Sequence, residues 1–161
     1  MLESTSHIFL VSSRIRDLSG LTVPISSPIY RLSEPAMSTV TLNSDNFGPM
    51  IDDNEIVIID VGAEWCAPCK AFEPTFEAAS THNPDVLFAK MNTEEEHALA
   101  AYFSIRSVPS VMVFRDQVLL YNEPGAMDEA AIEQLLNYIK GLDMAMVRQE
   151  VAAATENVLY N

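Results

Sequence analysis

The sequence predicts an α/β protein built on one mixed β-sheet of about five strands. Apolar runs rich in β-branched residues alternate with segments of helical periodicity, which is typical of parallel strands joined by crossover helices. The last two strand-like runs are separated only by a short turn, so we expect them to form an antiparallel hairpin. The predicted order of elements is β-α-β-α-β-α-β-β-α.

The first elements are a short strand at residues 40–42 and a brief helix, which Ser44 or Asp45 is expected to cap and Pro49 to disturb. Residues 55–61 contain a continuous β-branched run at residues 56–59, which predicts a strand buried on both faces. This strand leads directly into the stretch that carries the protein's cysteines.

A helix is predicted at residues 67–81, kinked by Pro74, and a second buried strand at residues 86–91. Thr93 and Glu96 have the spacing of a capping box, so we expect Thr93 to be the N-cap of the next helix. That helix is expected to turn three apolar side chains inward, Leu99, Tyr102 and Phe103.

The predicted domain ends in a hairpin and a helix. Residues 110–114 and 118–121 predict two strands joined by a turn at residues 116–117. Asp128 is expected to cap the final helix, in which apolar residues recur at helical spacing.

Charge is distributed unevenly along the 161 residues. Residues 1–36 carry three basic and three acidic side chains, so the formal net charge of −14 falls on residues 37–161, with six basic and twenty acidic groups. Such a surface repels nucleic acids and anionic membranes and steers toward neutral or basic partners. The hydrophobic content of 48% is ordinary for a globular domain with a core.

Residues 1–36 have no sustained periodicity and contain eight serines. Their apolar run at residues 8–11 is too short for a signal peptide or a membrane span. Three acidic residues argue against an organelle transit peptide, although targeting by this segment stays open. We expect a poorly ordered leader, or sequence upstream of a natural start at Met37, followed by a domain at residues 37–141 and a helical extension at residues 142–161.

The last twenty residues contain an apolar seam at 3-4-3-4 spacing, made of Met144, Val147, Val151, Ala154 and Val158. This is the spacing of a coiled coil, but two heptads are fewer than a coiled coil needs. Two interpretations stay open. The helix either folds back on its own domain or frays, or it docks a partner or a second copy.

The only tryptophan and both cysteines lie in one hexapeptide, WCAPCK at residues 65–70. A Cys-x-x-Cys pair between an apolar run and a helical pattern predicts a redox dithiol. If Cys66 begins the helix, it lies near unsatisfied N–H groups and the positive end of the helix dipole, which favour its thiolate. Cys69 lies one turn deeper and is expected to be the poorer nucleophile.

Other uses of the cysteines are less favoured. A structural disulfide that closes a four-residue loop would constrain the unfolded chain very little. A structural zinc site needs four ligands, and the three histidines, His7, His82 and His97, have no ligand spacing. No metal or other cofactor is therefore expected. Two cysteines in one motif also fit a reducing compartment.

These features together resemble the thioredoxin family over roughly residues 40–141. Four separate stretches carry the resemblance: the run at residues 60–70, Pro74, the loop at residues 105–110, and Gly125. The resemblance implies the thioredoxin fold, with helices on both faces of the sheet. It also implies a thiol–disulfide oxidoreductase that reduces protein disulfides and is itself reduced by a thioredoxin reductase.

The resemblance implies catalytic roles for four residues. The Cys66 thiolate attacks a substrate disulfide, and Cys69 then attacks Cys66 and releases the reduced substrate. Asp60, at the end of the buried strand, is expected to have a pKa raised by desolvation and to act through water as the base that activates Cys69. Lys90, in the neighbouring strand, is expected to lie near that carboxylate and modulate it.

The resemblance also implies a substrate-binding set, Trp65, Ala67, Pro68, Val108, Pro109 and Gly125. Pro109 is expected to be cis and to place the Val108 backbone beside Cys66, ready to pair with an extended substrate segment. Trp65 and Gly125 are expected to form a flat apolar rim around an exposed sulfur.

Three positions depart from the family's pattern. Gly62 replaces the usual aromatic residue, which removes packing beside the active site. Ala67 replaces a frequent glycine, a mild change that predicts a reducing protein, nearer about −270 mV than about −120 mV. Gln117 replaces the usual glycine of the hairpin turn, which is expected to change the turn type.

A function of another class stays open. A thioredoxin-fold binding module, or a co-chaperone-like subunit with incidental redox activity, would use the rim around Trp65, Pro109 and Gly125 and the C-terminal helix. The intact dithiol argues against it. The remaining expectations are a cytoplasmic monomer that binds neither nucleic acid nor membrane.

Overall fold

The computed structural model describes residues 39–159, and for residues 155–159 it describes the backbone alone. The expectation for residues 1–36 lies outside this range. The elements in chain order are β1 (Val40–Thr41), α1 (Phe47–Asp53), β2 (Ile56–Gly62), α2 (Ala67–His82), β3 (Leu87–Asn92), α3 (His97–Tyr102), β4 (Ser110–Arg115), β5 (Val118–Pro124), α4 (Glu129–Lys140) and α5 (Met144–Leu159). The predicted order is confirmed, and α5 follows it.

The five strands form one mixed sheet in the order β1-β3-β2-β4-β5. Strand β2 is central because it pairs in parallel with β3 and antiparallel with β4. Its residues 56–61 are all buried, as its continuous apolar run predicts. The strand that leads into the cysteines therefore runs through the middle of the protein.

Helices cover both faces of this sheet. Successive side chains of β2 point to opposite faces. Ile58 packs in the core cluster that contains residues of α2 and α4, whereas Ile59 packs in the cluster that contains Ile51 of α1. Phe103, at the end of α3, belongs to the second cluster. The predicted α/β architecture with helices on both faces is thus confirmed.

The predicted capping box is wrong. Helix α3 begins at His97, and the Thr93 hydroxyl instead donates a hydrogen bond to the Gly62 carbonyl oxygen at 3.2 Å. The Glu96 carboxylate accepts hydrogen bonds from the backbone N–H and the hydroxyl of Ser44. The acidic run therefore lies in the turn between β3 and α3 rather than in the first turn of a helix.

Two smaller expectations are also wrong. Tyr102 is 48% exposed, because α3 has only six residues and ends there, and Phe103 alone of that pair is buried. Neither Ser44 nor Asp45 caps α1, since the N-cap position is Asn46 and it makes no side-chain cap.

The hairpin between β4 and β5 turns at the predicted residues. Asp116 and Gln117 both have positive φ angles, 49° and 69°. Two consecutive residues in this region form the type I′ turn, whose twist suits a two-residue hairpin.

Helix α5 packs against the domain through the first part of its apolar seam. Met144 is buried, and Val147 and Val151 pack against the same cluster as α4. The Asp143 carboxylate accepts hydrogen bonds from two N–H groups of the first turn, at 2.9 and 3.3 Å. The side chain of Val158 lies outside the described residues. Met144, Val147 and Val151 therefore face the protein's own core.

Candidate active site

Cys66 and Cys69 form a disulfide at the N-terminus of α2, with their Cα atoms 5.3 Å apart. Cys66 is the N-cap residue, and its Sγ accepts a hydrogen bond from the Cys69 N–H at 3.2 Å. Pro68 lies in the first turn, where a helix does not use the N–H group that proline lacks. The predicted position of the first cysteine at the start of the helix is confirmed.

The expected exposed sulfur is not found in this disulfide form. Cys66 is 2% exposed and Cys69 is 6% exposed. Both pack with Ala63, and Val108 packs against them. Val108 comes from a loop some forty residues further along the chain, so the local motif could not predict this cover.

Exposed side chains surround the buried disulfide. Trp65 is 71% exposed, and Ala67, Pro68 and Gly125 are exposed as well. The Val108–Pro109 peptide bond is cis, as predicted. Gly125 donates its N–H to the Pro109 carbonyl oxygen at 2.8 Å and has a φ angle of 119°, which glycine adopts without steric cost. Four of the residues predicted for the substrate side are therefore exposed, whereas Val108 is half-buried and Pro109 is buried.

Asp60 is a buried carboxylic acid behind this surface. It lies in β2 opposite Lys90 of β3 and Val111 of β4, and it is 5% exposed. Its Oδ1 atom has no hydrogen-bond partner among the described residues. Burial raises the pKa of Asp60 to about 6, while Lys90 opposes the rise and Glu73 adds to it. The direction is the one that its place in a buried strand predicts.

Lys90 is held by two carboxylates that the sequence reasoning missed. Its Nζ atom lies 3.1 Å from Glu73 Oε1 and 2.9 Å from Glu77 Oε1. Burial lowers the pKa of Lys90, but the hydrogen bonds to Glu77 and Glu73 outweigh it and raise the pKa overall. The available signal was the four-residue spacing of the two glutamates, which puts them on one face of α2.

A cleft of about 470 Å³ joins the carboxylic acid to the dithiol. Its walls include Asp60, Gly62, Cys69, Glu73 and Lys90. A Cβ atom at Gly62 would lie 3.3 Å from Cys69 Cβ and 3.5 Å from its Sγ. Even a methyl group would be crowded at this position, so glycine lets β2 approach the second cysteine closely.

Two kinds of feature are not found in the part of the chain that the structure describes. No group of His, Cys, Asp or Glu residues there is placed to hold a metal ion. None of the helices between residues 39 and 159 has both the length and the hydrophobicity needed to cross a membrane.

Comparison with known proteins agrees with this geometry. The family model for thioredoxin matches residues 38–139. This chain belongs to the thioredoxin family. It is 46% identical over 115 residues to the putative thioredoxin 2 of Streptomyces coelicolor, covering 71% of this chain and 86% of that relative. It is also 36% identical over 101 residues to a thioredoxin of Mycoplasma pneumoniae, covering 63% and 99% of the two chains.

Solved thioredoxins share the fold. A mutant thioredoxin from Halobacterium salinarum superposes with a TM-score of 0.61 at 27% identity, over 70% of this chain and 99% of that one. The oxidised thioredoxin from Plasmodium falciparum gives a TM-score of 0.57 at 29% identity, over 63% and 98%.

Family and dithiol together define the activity class. A thioredoxin-family chain whose two cysteines lie at disulfide distance is a protein-disulfide oxidoreductase. The family implies disulfide-containing protein substrates and a reductase as partners. The main functional prediction from the sequence is therefore confirmed.

Proposed function

We propose that this thioredoxin-family protein reduces protein disulfides in two exchange steps. The Cys66 thiolate attacks one substrate sulfur, which forms a mixed disulfide and releases the other substrate sulfur as a thiolate. The Cys69 thiolate then attacks Cys66 Sγ, which closes the Cys66–Cys69 disulfide and releases the second substrate thiolate. Two electrons pass from the dithiol to the substrate in each cycle.

The position of Cys66 as the N-cap of α2 is the observation that carries this proposal. Helix N–H groups without intrahelical partners stabilise an anion there, and Cys69 N–H already points to Cys66 Sγ. This asymmetry favours Cys66 as the attacking thiolate and leaves Cys69 to resolve the mixed disulfide.

Asp60 serves in this proposal as the base that takes the proton of Cys69. Support comes from the shared cleft, which admits water to both groups, and from a pKa of about 6, close to the neutral range in which the reaction runs. Lys90 modulates this carboxyl group through its positive charge.

The proposed substrate-binding residues are Trp65, Ala67, Pro68, Val108, Pro109 and Gly125. Trp65, Ala67, Pro68 and Gly125 are exposed, which supports this role, since an extended segment can lie across Gly125 and Trp65. Val108 is half-buried and Pro109 is buried, so these two would act mainly by shaping the loop beside the cysteines. Val108 packs against the cysteines. Its backbone would pair with such a segment as an added strand.

The proposal extends to the setting of the reaction. A thioredoxin reductase would restore the dithiol in the cytoplasm, and the protein would act as a monomer, with residues 37–141 as the redox domain and residues 142–161 as an extension. The net charge of −14 supports an absence of binding to nucleic acid or anionic membranes.

The proposal is tested by turnover of a disulfide-containing protein with NADPH and a thioredoxin reductase. Cys66→Ser and Cys69→Ser should each lower the rate by at least about 10³-fold, because each removes one of the two sulfurs of the cycle. Thr81→Ala, an exposed change at the far end of α2, is the matched control and should keep the wild-type rate. Turnover that survives Cys66→Ser would refute the mechanism, and an inactive wild type would favour the binding-module alternative.

A further inference from the structure

We propose that Glu73 is a positioning residue of the dithiol reaction: it holds the Lys90 ammonium group against α2 and so sets the pH range in which Asp60 serves Cys69 as a base. The inference rests on the proposed role of Asp60. Glu73 lies outside the cysteine motif, and it is not one of the residues through which the sequence resembles the thioredoxin family.

Glu73 lines the same cleft as the reacting groups. Glu73 lies one helical turn after Cys69 in α2, so both residues are on the same face. Both line the cleft, together with Asp60 and Lys90. Gly62 also lines this cleft, close to Cys69.

The carboxylates of α2 compete with Asp60 for Lys90. The backbone of Lys90 is directly opposite Asp60 in the neighbouring strand. Its ammonium group nevertheless contacts Glu73 at 3.1 Å and Glu77 at 2.9 Å. Asp60 Oδ1 has no hydrogen-bond partner among the described residues. The cation that could neutralise the buried carboxylate is thus bound by two carboxylates of α2.

The charged groups around Asp60 determine the direction in which its pKa moves. Strand β3 contributes Lys90, whereas the residue opposite in β4 is the apolar Val111. Helix α2 contributes Cys69, Lys70 and Glu73 to the cleft, and the preceding loop contributes Glu64. Of the charged groups among these, the ones that act on the pKa of Asp60 are Lys90, which lowers it, and Glu73, which raises it.

Removing the Glu73 charge therefore acts twice in the same direction. It deletes an anion that disfavours the Asp60 carboxylate, and it frees Lys90 from one of its two partners. Both changes favour the ionised form of Asp60. Glu77 differs, because its removal leaves the Glu73 charge in place beside the cleft, which makes it a matched control on the same cation.

The test measures the Asp60 carboxyl titration by NMR in the full-length oxidised protein, for wild type, Glu73→Gln, Glu73→Asp and Glu77→Gln. The pH profile of turnover is measured on the same four proteins. Glu73→Gln should move the Asp60 midpoint, and the acid limb of the turnover profile, to lower pH by at least about 0.5 pH unit. Glu77→Gln should move both by less than half as much, and Glu73→Asp should restore part of the wild-type midpoint.

Two results would overturn the inference: an unchanged Asp60 midpoint in Glu73→Gln, or equal shifts in Glu73→Gln and Glu77→Gln. Equal shifts would mean that the two carboxylates merely tether α2 to the sheet. The titration needs no turnover. An inactive wild type would therefore refute the proposed function, while the titration would still decide the role of Glu73.

Discussion

Asp60 links the chemistry of the site to the stability of the fold at the scale of a single residue. Its burial and its raised pKa follow from its place in β2, which the apolar run before it predicts. Its neighbours Glu73 and Glu77 could not be predicted, because the sequence does not reveal which face of α2 lies over Lys90. The contact of Val108 with Cys66 could not be predicted either, because it joins segments that are distant in the sequence.

Substituting Asp60 is expected to stabilise the protein at neutral pH. A carboxyl group whose pKa is raised from 3.8 to about 6 on folding stabilises the folded state fully below pH 3.8, and this contribution is lost as pH rises through about 6. The loss corresponds to about 3 kcal/mol. The effect of Asp60→Asn on the free energy of unfolding should therefore be more stabilising at pH 8 than at pH 4 by up to that amount.

Urea denaturation of the oxidised proteins at the two pH values measures this difference. Comparing the two values cancels the cost of burying the new amide, which is the same at both. If the effect of Asp60→Asn on the free energy of unfolding is the same at pH 4 and pH 8, then burial does not raise the pKa of Asp60.

At the scale of the element, periodicity predicted the helices and strands well and their ends less well. The spacing of apolar residues fixed α2, α4 and the central strands, because each must bury one or both faces. The ends of α1 and α3 were missed, since Thr93 and Ser44 contact partners in other segments, Gly62 and Glu96, instead of capping their own helices. The sequence showed the apolar seam of α5, but it did not show that the seam packs against the cluster that contains α4.

The packing of α5 predicts a clear difference between two of its methionines. Met144 is 7% exposed and packs in the core cluster of α4, whereas Met146 is 61% exposed. Met144→Ala should lower the free energy of unfolding by about 2–4 kcal/mol, because it leaves a cavity in that cluster. Met146→Ala has the same chemistry and the same helix, and it should change stability by less than about 0.5 kcal/mol.

Chemical denaturation of the full-length chain measures both methionine variants. Equal and small effects would mean that α5 does not rest on the domain in solution. In that case, the interpretation of α5 as a helix that docks a partner would gain support.

At the scale of the whole molecule, the fold, the dithiol and the surface charge point to one activity. Strand β2, which carries Asp60, lies inside the sheet with a strand on each side. The chain reaches the cysteines shortly after this strand ends, and the loop with the cis Pro109 lies beside them. Much of this arrangement was predictable, because four sequence stretches resemble the thioredoxin family in order. The acidic surface was also visible in the composition, and it favours neutral or basic substrates over nucleic acids.

The central claim is that Cys66 attacks the substrate and Cys69 resolves the intermediate. The most direct test is to incubate the reduced Cys69→Ser variant with a disulfide-containing protein and locate any covalent bond by peptide mass spectrometry. The account predicts a mixed disulfide between Cys66 and the substrate that persists until a small dithiol is added. The reduced Cys66→Ser variant should trap far less substrate under the same conditions. Equal trapping through Cys69, or no trapping by either variant, would contradict the account.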